Sequence, residues 1–457
     1  MNITFIEDEK RDDMIIFFPN SFKFFTANKI VKNIFEKYKN GSSLDCISHK
    51  FKLPYEQCKN IIIKIEESIE SVENNIDLEQ ALKIFEYKLG KLSINVTDNC
   101  NLRCKYCYEQ NENMCTSSRN ISFKTIDNLF NGLSKKFNTI ETIQFFGGEP
   151  FLNKDAIEYT CKKVMQLYDK KLLLNIPSFG VVTNGTIVDK EIVDLIKKYD
   201  INITVSFDGI PSVHDKMRIS RNGKKTSNII LKNIKTIQKY NKKPLGFEVT
   251  YNGEHLKQNV KVVDIVKYLQ ENFNLSGVHI TPVLGKEKDE FYLNDVSEFE
   301  NLVDDLFKDE EVKFYPNYLI NLITSLTKKK HSPFLCDAGI SQISIDVDGN
   351  IYPCFMLVGA DKYKIGTVYN ENVFESDKWK ELFKLFKSKS RQNNPKCKDC
   401  YMINLCNSCM GINNITNNSP FEVNDYFCDI NKKMFKKLLF NIIDKQNLKG
   451  SLNHYGK

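Results

Sequence analysis

The sequence contains no apolar run close to the roughly 18 residues that a membrane-spanning helix requires. Its N-terminus, MNITFIEDEKRDD, is acidic and polar, whereas a secretory signal begins basic and continues apolar. The net charge of +7 is modest and is spread as lysines over the chain, so it weakly favours an acidic or peptide partner and gives no argument for nucleic acid. We therefore expect a globular, cytoplasmic protein with neither a membrane nor a nucleic acid as its partner.

The chain is rich in core-forming residues and in cysteine. Its 457 residues are 41% hydrophobic and 12% aromatic, which is ample for real cores. A chain of this length predicts about three domains. Ten of the 14 cysteines lie in tight clusters. Without a secretory signal, clustered cysteines favour metal binding over disulfides.

The first cysteine cluster lies on one short segment, in which Cys100, Cys104 and Cys107 have the spacing C-x3-C-x2-C. An alternating apolar run over 92–96 precedes it and predicts a strand. Three thiolates on one loop can hold three irons of a cubane cluster and leave the fourth iron free for a substrate or cofactor. A partial zinc site and plain core thiols are the alternatives.

Strand and helix patterns alternate from residue 91 to about 283. The predicted strands are Leu92–Thr97, Thr142–Phe146, Phe179–Thr183, Ile201–Phe207, Gly246–Tyr251 and Gly277–Thr281. The predicted helices lie near 123–136, 154–169, 188–199, 226–240 and 258–272. Right-handed crossovers of this length favour an α/β fold in which a parallel sheet curls into a partial (β/α)6 TIM-like barrel. The site of such a barrel lies at the C-terminal ends of its strands.

The cysteine loop resembles the cluster loop of the radical S-adenosylmethionine (SAM) enzymes, with Tyr106 in the aromatic position before the third cysteine. After the second strand, the segment Gly147, Gly148, Glu149 and Pro150 resembles the GGEP segment that holds the SAM amino group in this family. Glycines allow the backbone to approach a ligand closely, and a carboxylate can accept a hydrogen bond from an ammonium group.

The ends of the third and fourth strands continue this resemblance. The run from Ser206 through Gly209, Pro211, His214 and Asp215 to Arg218 resembles the SLDGP…HD..R signature of the peptide-modifying branch. It implies that Ser206 contacts SAM and that Arg218 binds the SAM carboxylate. The remaining residues assigned to SAM in this way are Asn184 and Asp208. For His214 a structural role is favoured over a catalytic one, and Thr250 and Asn252 are further candidates for lining the site.

A second cysteine group fills the C-terminal third of the chain. It consists of Cys336, Cys354, Cys397, Cys400, Cys406, Cys409 and Cys428. The order resembles the SPASM extension, whose cysteines bind two auxiliary [4Fe–4S] clusters. Between the first two cysteines, ISIDVDGNIYPC predicts a hairpin with Asp348 and Gly349 at its turn. Two residues, Asn407 and Ser408, separate Cys406 from Cys409 where the family usually has three, and a zinc site is the alternative.

The family's pairing implies how these cysteines divide between the clusters. Cys397, Cys400, Cys406 and Cys428 would complete the cluster distal to SAM, and Cys336, Cys354 and Cys409 would hold the nearer one. With the first loop this implies three [4Fe–4S] clusters and bound SAM. Residues 337–353 contain no cysteine, so the nearer cluster lacks an evident fourth ligand. We expect a substrate thiolate to take that position, with Cys115, water or a carboxylate as alternatives.

The first 85 residues have a pattern of their own. A hairpin from Ile3–Ile6 and Met14–Phe18 is followed by helices over 27–38, 43–51 and 54–72, which is a winged-helix-like order, and a linking helix is expected over 74–87. The third helix is acidic towards its end and therefore poor for phosphate contact. The arm resembles the leader-peptide recognition element of maturases of ribosomally made peptides, which captures a peptide by β-augmentation. A merely structural arm is the alternative.

The expected organisation is therefore a recognition domain over 1–85, a radical SAM barrel over 86–320, a SPASM domain over 321–440 and a tail over 441–457. The resemblance implies an enzyme that cleaves SAM and forms a thioether between a cysteine sulfur and a carbon of a precursor peptide with a leader sequence. A flavodoxin or ferredoxin would supply the electrons. The alternatives are an anaerobic sulfatase maturase, another peptide crosslinking enzyme of this type, and a redox-sensing regulator that binds DNA.

Overall fold

The computed structural model describes residues 3–70, 86–107, 119–283, 290–293, 297–332, 334–406 and 408–454. The chain begins with an antiparallel sheet of three strands, β1 (Thr4–Glu7), β2 (Met14–Phe18) and β3 (Lys23–Ala27), in the order β1-β2-β3. The sequence predicted only the first two strands. The segment KFFTA is too short to show an alternating pattern, and only its pairing with β2, in which Phe25 lies opposite Ile16, makes it a strand.

Three helices, α1 (Lys29–Lys39), α2 (Leu44–Phe51) and α3 (Tyr55–Glu70), follow the sheet, close to their predicted positions. The side chains of Asn28 and Ser43 cap the first two helices by accepting hydrogen bonds from backbone N–H groups of the first turn. Their apolar faces pack on one face of β2 and form a separate small core. The expected linking helix over 74–87 lies mostly outside the described residues.

The other face of β2 packs on the C-terminal part of the chain. The Phe17 ring contacts the Phe435 ring edge to face at 5.1 Å between centroids. The Arg11 guanidinium pairs with Asp444 at 2.8 Å and lies over the Phe440 ring at 4.6 Å. All five residues of β2 are consequently buried, and the N-terminal module is docked on the body of the protein.

Six parallel strands form the barrel, and each corresponds to a predicted strand. They are β4 (Lys88–Thr97), β6 (Thr139–Gly147), β7 (Ser178–Thr183), β8 (Asn202–Ser206), β10 (Leu245–Tyr251) and β11 (Leu275–Pro282). Two short strands, β5 (Leu102–Cys104) and β9 (Arg218–Ser220), pair with each other outside this sheet. The helices of this region are α4 (Phe123–Lys136), α5 (Lys154–Asp169), α6 (Lys190–Lys198), α7 (Pro211–Met217), α8 (Ser227–Asn241), α9 (Gly253–Lys257) and α10 (Val262–Asn272).

Side chains alternate along each barrel strand between the helix layer and the barrel interior. In β10, Phe247, Val249 and Tyr251 are buried, whereas Glu248 and Thr250 between them are half-buried. In β4, the apolar residues Leu92, Ile94 and Val96 are fully buried in the main core. The polar residues between them therefore face the interior, which leaves the barrel with a polar lumen.

The C-terminal region begins with α11 (Ser297–Lys308) and α12 (Asn317–Lys328) and continues with the hairpin β12 (Gln342–Ile345) and β13 (Asn350–Tyr352). The strand β12 pairs in parallel with β4, so the hairpin extends the barrel sheet. The remaining elements are β14 (Gly366–Thr367), α13 (Asp377–Ser388), α14 (Met410–Asn417) and α15 (Asp425–His454). The last helix, α15, runs through residue 440, where the predicted tail would begin, and continues without a break to His454. No helix of the described residues is both long and apolar enough to cross a membrane.

Candidate active site and cysteine clusters

The three cysteines of the first loop follow the C-terminal end of β4. Cys104 ends β5, where it lies opposite Arg218 of β9. The Cys107 N–H donates to the Cys104 carbonyl at 3.2 Å. The loop is thus held in place by the chain segment that follows the fourth barrel strand, which carries the other part of the predicted SAM site.

Gly147 and Gly148 lie against the backbone that leads into this loop. Gly147 has φ +129°, and a Cβ there would lie 2.1 Å from the Thr97 carbonyl oxygen. A Cβ on Gly148 would lie 2.4 Å from the carbonyl oxygen of Asn99. Any larger side chain would therefore displace the loop. The close approach of the backbone is a structural reason for these glycines. Their contact with SAM remains a prediction.

Glu149 is fully buried and ties the second barrel strand to the third. Its carboxylate accepts hydrogen bonds from the Phe151 N–H at 3.1 Å, the Thr183 hydroxyl at 2.7 Å and the Asn184 N–H at 2.7 Å. Burial raises the pKa of Glu149 to about 7, and these three donors oppose the shift. Pro150 begins a short 3-10 turn immediately afterwards. A hydrogen bond from the SAM ammonium to Glu149 stays a prediction.

Asn184 connects the third strand to the first cysteine. Its side-chain N–H group donates to the side-chain oxygen Oδ1 of Asn101 at 2.8 Å and lies 3.8 Å from the Cys100 sulfur. Its own carbonyl oxygen accepts from the Thr186 N–H at 2.9 Å. Asn184 therefore positions Cys100, and a hydrogen bond to a thiolate at that position would stabilise its charge.

Asp208 and Arg218 form a buried ion pair beneath the cysteine loop. The Arg218 Nε–H donates to Asp208 at 3.0 Å, and its guanidinium lies 5.3 Å from the centre of the Tyr106 ring. Tyr106 donates its hydroxyl to the same carboxylate. Burial opposes the ionisation of Asp208, but the charge of Arg218, the Tyr106 hydrogen bond and the neighbouring histidines together outweigh it and lower the pKa of the carboxyl group. The sequence did not indicate this pair, because ten residues and a turn separate its members.

Arg218 is thus already engaged by protein groups. Besides Asp208, it donates to the Thr250 hydroxyl at 3.3 Å. It also interacts with the Cys104 sulfur, where burial raises the thiol pKa and Arg218 lowers it. A contact of Arg218 with the SAM carboxylate, which remains a prediction, would have to use its other N–H groups.

His214 is a buried structural histidine, as the sequence favoured. Its Nδ1 accepts from the Asp208 N–H at 3.3 Å, its Nε2 bonds the Thr226 hydroxyl at 3.0 Å, and its ring stacks on Phe207. Burial lowers the pKa of His214 to about 4. Asp215 accepts from the backbone N–H groups at the start of α8.

The two candidates at the end of the fifth strand have different environments. Thr250 faces the barrel interior beside Arg218. Asn252 is fully buried, and its side chain caps α9 by accepting from the Glu254 N–H at 3.0 Å. This cap gives Asn252 a structural role, and its place in the lining of the site stays a prediction. Ser206, half-buried at the end of β8, lies in register with Glu248 of β10.

Cys336, Cys354 and Cys409 come together into what we call the proximal set. Each of the three interacts electrostatically with the other two, and burial raises the pKa values of Cys336 and Cys354 to about 12. The Cys409 sulfur lies 3.8 Å from the sulfur of Met356. The predicted hairpin between the first two cysteines is present, with Gly349 at φ +82° in its turn.

Cys397, Cys400, Cys406 and Cys428 form the distal set and line one cavity. Every pair among these four interacts electrostatically. Arg391 and Lys432 line the same cavity. Burial raises the pKa of Cys397 to about 11 and that of Cys428 to about 12, so without a metal these groups are thiols. The structure therefore groups the C-terminal cysteines as the resemblance implied.

Both sets fit iron–sulfur clusters. Buried thiols at neutral pH become thiolates when they ligate a metal, and the cavity of the distal set is lined by three cationic side chains, Arg391, Lys396 and Lys432, that would balance the charge. In the described part of the chain, no group of three or more His, Cys, Asp or Glu side chains is arranged to hold a single metal ion. Cys115 lies outside the described residues.

Lys91 links the proximal set to the barrel interior. Its ammonium group lies 5.7 Å from the Phe146 ring centre and 5.9 Å from that of Phe355, and these two rings stack at 4.7 Å. Burial lowers the pKa of Lys91, whereas Cys354 and Glu248 oppose this shift. The sequence did not indicate a role for this lysine, because a single charged residue just before the predicted strand Leu92–Thr97 usually faces solvent.

Two protein-family models match the chain. Residues 94–265 match the radical SAM superfamily, and residues 336–401 match the SPASM iron–sulfur cluster-binding domain. The first match includes the cysteine loop and the predicted SAM segments. The second begins at the first cysteine of the proximal set and ends just after Cys400.

Three curated proteins illustrate the similarity. An uncharacterized protein of Methanocaldococcus jannaschii is 30% identical over 63% of this chain and 92% of its own length. A cysteine-type anaerobic sulfatase-maturating enzyme of Clostridium novyi is 29% identical over 76% of this chain and 95% of its own. The subtilosin biosynthesis protein AlbA of Bacillus subtilis is 27% identical over 69% of this chain and 66% of its own.

Solved structures share the fold. The enzyme anSMEcpe with bound AdoMet superposes with a TM-score of 0.64 at 21% identity, covering 80% of this chain and 98% of that one. SuiB of Streptococcus suis, bound to its precursor peptide SuiA, gives 0.53 at 17% identity, covering 93% of this chain and 98% of that one.

Proposed function

The chain belongs to the radical SAM superfamily and carries a SPASM domain, and from this premise we propose that it forms a thioether between a cysteine sulfur and a carbon of a precursor peptide. SAM and its cluster, when bound, supply a carbon radical that removes a hydrogen atom from an unactivated carbon. The protein positions the target bond and excludes water. In the overall reaction the peptide loses two hydrogens: one as an atom to the radical, the other as a proton and an electron.

The observation that carries this proposal is the position of the proximal set. Phe355 follows Cys354 directly and stacks on Phe146, which belongs to the barrel strand β6. Lys91 of β4 contacts both rings and interacts with Cys354. The set therefore adjoins the lumen in which a substrate would lie. It offers three cysteines among the described residues, which leaves a fourth ligand position for a substrate thiolate.

Residues at the strand ends would hold SAM. Asn184 and Arg218 donate towards the sulfurs of Cys100 and Cys104, so they favour the thiolate forms that a cluster requires. Gly147, Gly148 and Glu149 would face the amino group, and Ser206 would contact SAM from the fourth strand. The paired charges of Asp208 and Arg218 keep this part of the site rigid.

We propose further that the N-terminal module binds the leader of the peptide. Among the described strands, the sheet order leaves β1 and β3 at the edges, and an edge strand can pair with an extended peptide. Thr26 in β3 is exposed, as are Ile30 in α1 and Ile63 in α3. A leader docked here would be fixed relative to the barrel, because the other face of the sheet is packed on α15.

The test combines reconstituted enzyme, SAM, a flavodoxin or ferredoxin reducing system, and a cysteine-containing precursor peptide encoded near the gene. We expect 5′-deoxyadenosine and a peptide that has lost two hydrogens, has kept its sulfur and no longer reacts with thiol reagents. Release of 5′-deoxyadenosine without any change in cognate peptides would contradict the thioether proposal. Hydrogen exchange should show new protection of backbone amides in Lys23–Ala27 when the peptide is added.

Anaerobic sulfatase maturation is the second candidate, and the similarity to the C. novyi enzyme over 95% of its length favours it. Formylglycine formation from cysteine removes the sulfur, whereas a thioether retains it. A sulfatase-derived peptide with its target cysteine, tested beside the precursor peptide, therefore separates the two by mass spectrometry. Conversion of that peptide alone would replace the first proposal with the second.

A further inference from the structure

Arg391 is the largest fully buried side chain of the described residues, with 2% of its surface exposed. It lies in the polar segment SKSRQNNPK, which suggests a solvated residue. In the structure it lines the cavity of the distal set. Its guanidinium also interacts electrostatically with Cys336 of the proximal set, so Arg391 lies within reach of both sets.

Four of the five N–H groups of this guanidinium have partners. The Nη1 atom donates to the carbonyl oxygens of Ser332 and Ile403. The Nη2 atom donates to the carbonyl oxygens of Leu335 and Cys406. The fifth donor, Nε–H, is buried and has no hydrogen-bond partner among the residues that the structure describes. An arginine side chain carries five donors and no acceptor, so this one N–H is available for a further acceptor.

The charge of Arg391 also lacks a hydrogen-bonded carboxylate partner, although the buried Asp337 carboxylate interacts with it electrostatically. None of the ion pairs formed among the described residues includes it. Its partners are neutral carbonyl groups, and a buried guanidinium stays charged. An unpaired buried charge is strongly destabilising, so it requires a compensating negative charge nearby. The groups that interact with it most strongly are the sulfurs of Cys406 and Cys397, once they are thiolates, ahead of the Cys336 sulfur and the Asp337 carboxylate.

We propose that Arg391 is a positioning residue that makes the distal cluster easier to reduce, with its Nε–H donating a hydrogen bond to that cluster or to its cysteine sulfurs. The inference rests on the proposed function in so far as that function assigns a cluster to the distal set. Reduction adds one electron, and hence one negative charge, to the cluster. Hydrogen bonds to sulfur and nearby positive charge favour the reduced form and raise the potential.

The role of this arginine is thus to bias electron flow towards the distal set. An electron released in the reaction at the barrel would pass to the proximal set and then to the distal one, which Arg391 makes the better acceptor. No proton is transferred, because arginine does not titrate in proteins. Lys432, which lines the same cavity but is exposed, should have a smaller influence because water screens its charge.

The test uses the full-length chain with Cys100, Cys104 and Cys107 replaced by Ala, so that only the auxiliary clusters remain. Their midpoint potentials are measured by electron paramagnetic resonance during a reductive titration with dithionite. Arg391→Gln should shift the distal potential to more negative values, and Arg391→Lys should shift it less. The matched control, Lys432→Gln, should shift it least. Equal distal potentials in all four proteins would overturn the inference.

A second measurement uses protein that keeps Arg391, so it tests the proposal even if the Arg391 variants lose iron. Protein labelled with 15N-arginine should show a 15N hyperfine coupling in pulsed spectra of the reduced distal cluster. The coupling should be absent when the label is placed only in lysine. Its absence from the arginine-labelled protein would overturn the hydrogen bond. An iron content near four per chain in the wild type would instead refute the cluster assignment, which distinguishes failure of the proposed function from failure of this inference.

Discussion

The two cysteine regions of this protein are built in opposite ways. The first loop carries its cysteines within the segment 100–107, held by one short strand pair and one turn. The seven C-terminal cysteines span 336–428 and come from a hairpin end, irregular turns, the start of α14 and the helix α15. The loop is therefore a site added to a complete barrel, whereas the C-terminal sets join chain segments that have little regular structure of their own.

The strongest test of this contrast removes the loop cysteines. Replacing Cys100, Cys104 and Cys107 by Ala should abolish SAM cleavage and lower the iron content from about 12 to about 8 per chain. The melting temperature should change little, because the barrel core does not depend on the loop. Product analysis, iron determination and calorimetry measure the three quantities. Persistent SAM cleavage would refute the assignment of the loop.

The corresponding change in the other region should affect both iron content and folding. Cys428→Ser should remove about four irons per chain and also lower the melting temperature, because Cys428 joins α15 to the segment around Cys397. Cys46→Ser, which changes an exposed cysteine outside every set, serves as the control and should alter neither. If Cys428→Ser lost iron at an unchanged melting temperature, the two regions would not differ in the way described.

Breaking the buried ion pair of Asp208 and Arg218 beneath the cysteine loop should have a third, smaller effect, which is on stability. Asp208→Asn leaves the Arg218 charge buried without its partner and should lower the free energy of unfolding by about 3–5 kcal/mol. Lys162→Gln, which removes a surface pair with Glu158, should cost less than about 1 kcal/mol. Denaturant titrations of both variants compare them. Equal losses would show that the buried pair is not a structural support of the loop.

The smallest effect concerns pH. His214 has its pKa lowered to about 4 in the folded protein, against an ordinary value near 6.5. Between these values the unfolded chain binds the proton and the folded one does not, so stability falls as the pH falls, by about 2 kcal/mol at pH 5. His214→Gln should remove this part of the pH dependence, whereas changing the exposed His279 should not. If the stability of the His214→Gln variant fell with pH as steeply as that of the wild type, the lowered pKa assigned to His214 would be contradicted.

Much of the fold was predictable because it rests on local patterns. All six barrel strands are present, and the helices Phe123–Lys136 and Lys154–Asp169 have the predicted bounds. Apolar periodicity specified these elements, since each buries one side against its neighbours. The third N-terminal strand and the C-terminal helix beyond residue 440 were missed. The strand exists through its pairing with β2, and the helix packs against α11 and the N-terminal sheet.

The candidate site also has a part that local sequence patterns predicted and a part that only tertiary contacts set. The sequence alone determined the residue types that carry the chemistry, namely the cysteines and the glycine and polar segments at the strand ends, because ligand spacing and turn chemistry are local. Tertiary structure alone decided the pairing of Asp208 with Arg218, the contact of Lys91 with the proximal set, and the burial of Arg391 between the cysteine sets. The electrostatic energy of a charged side chain depends on its distance from other charges and from water. Both distances are set by segments that lie far apart in the chain.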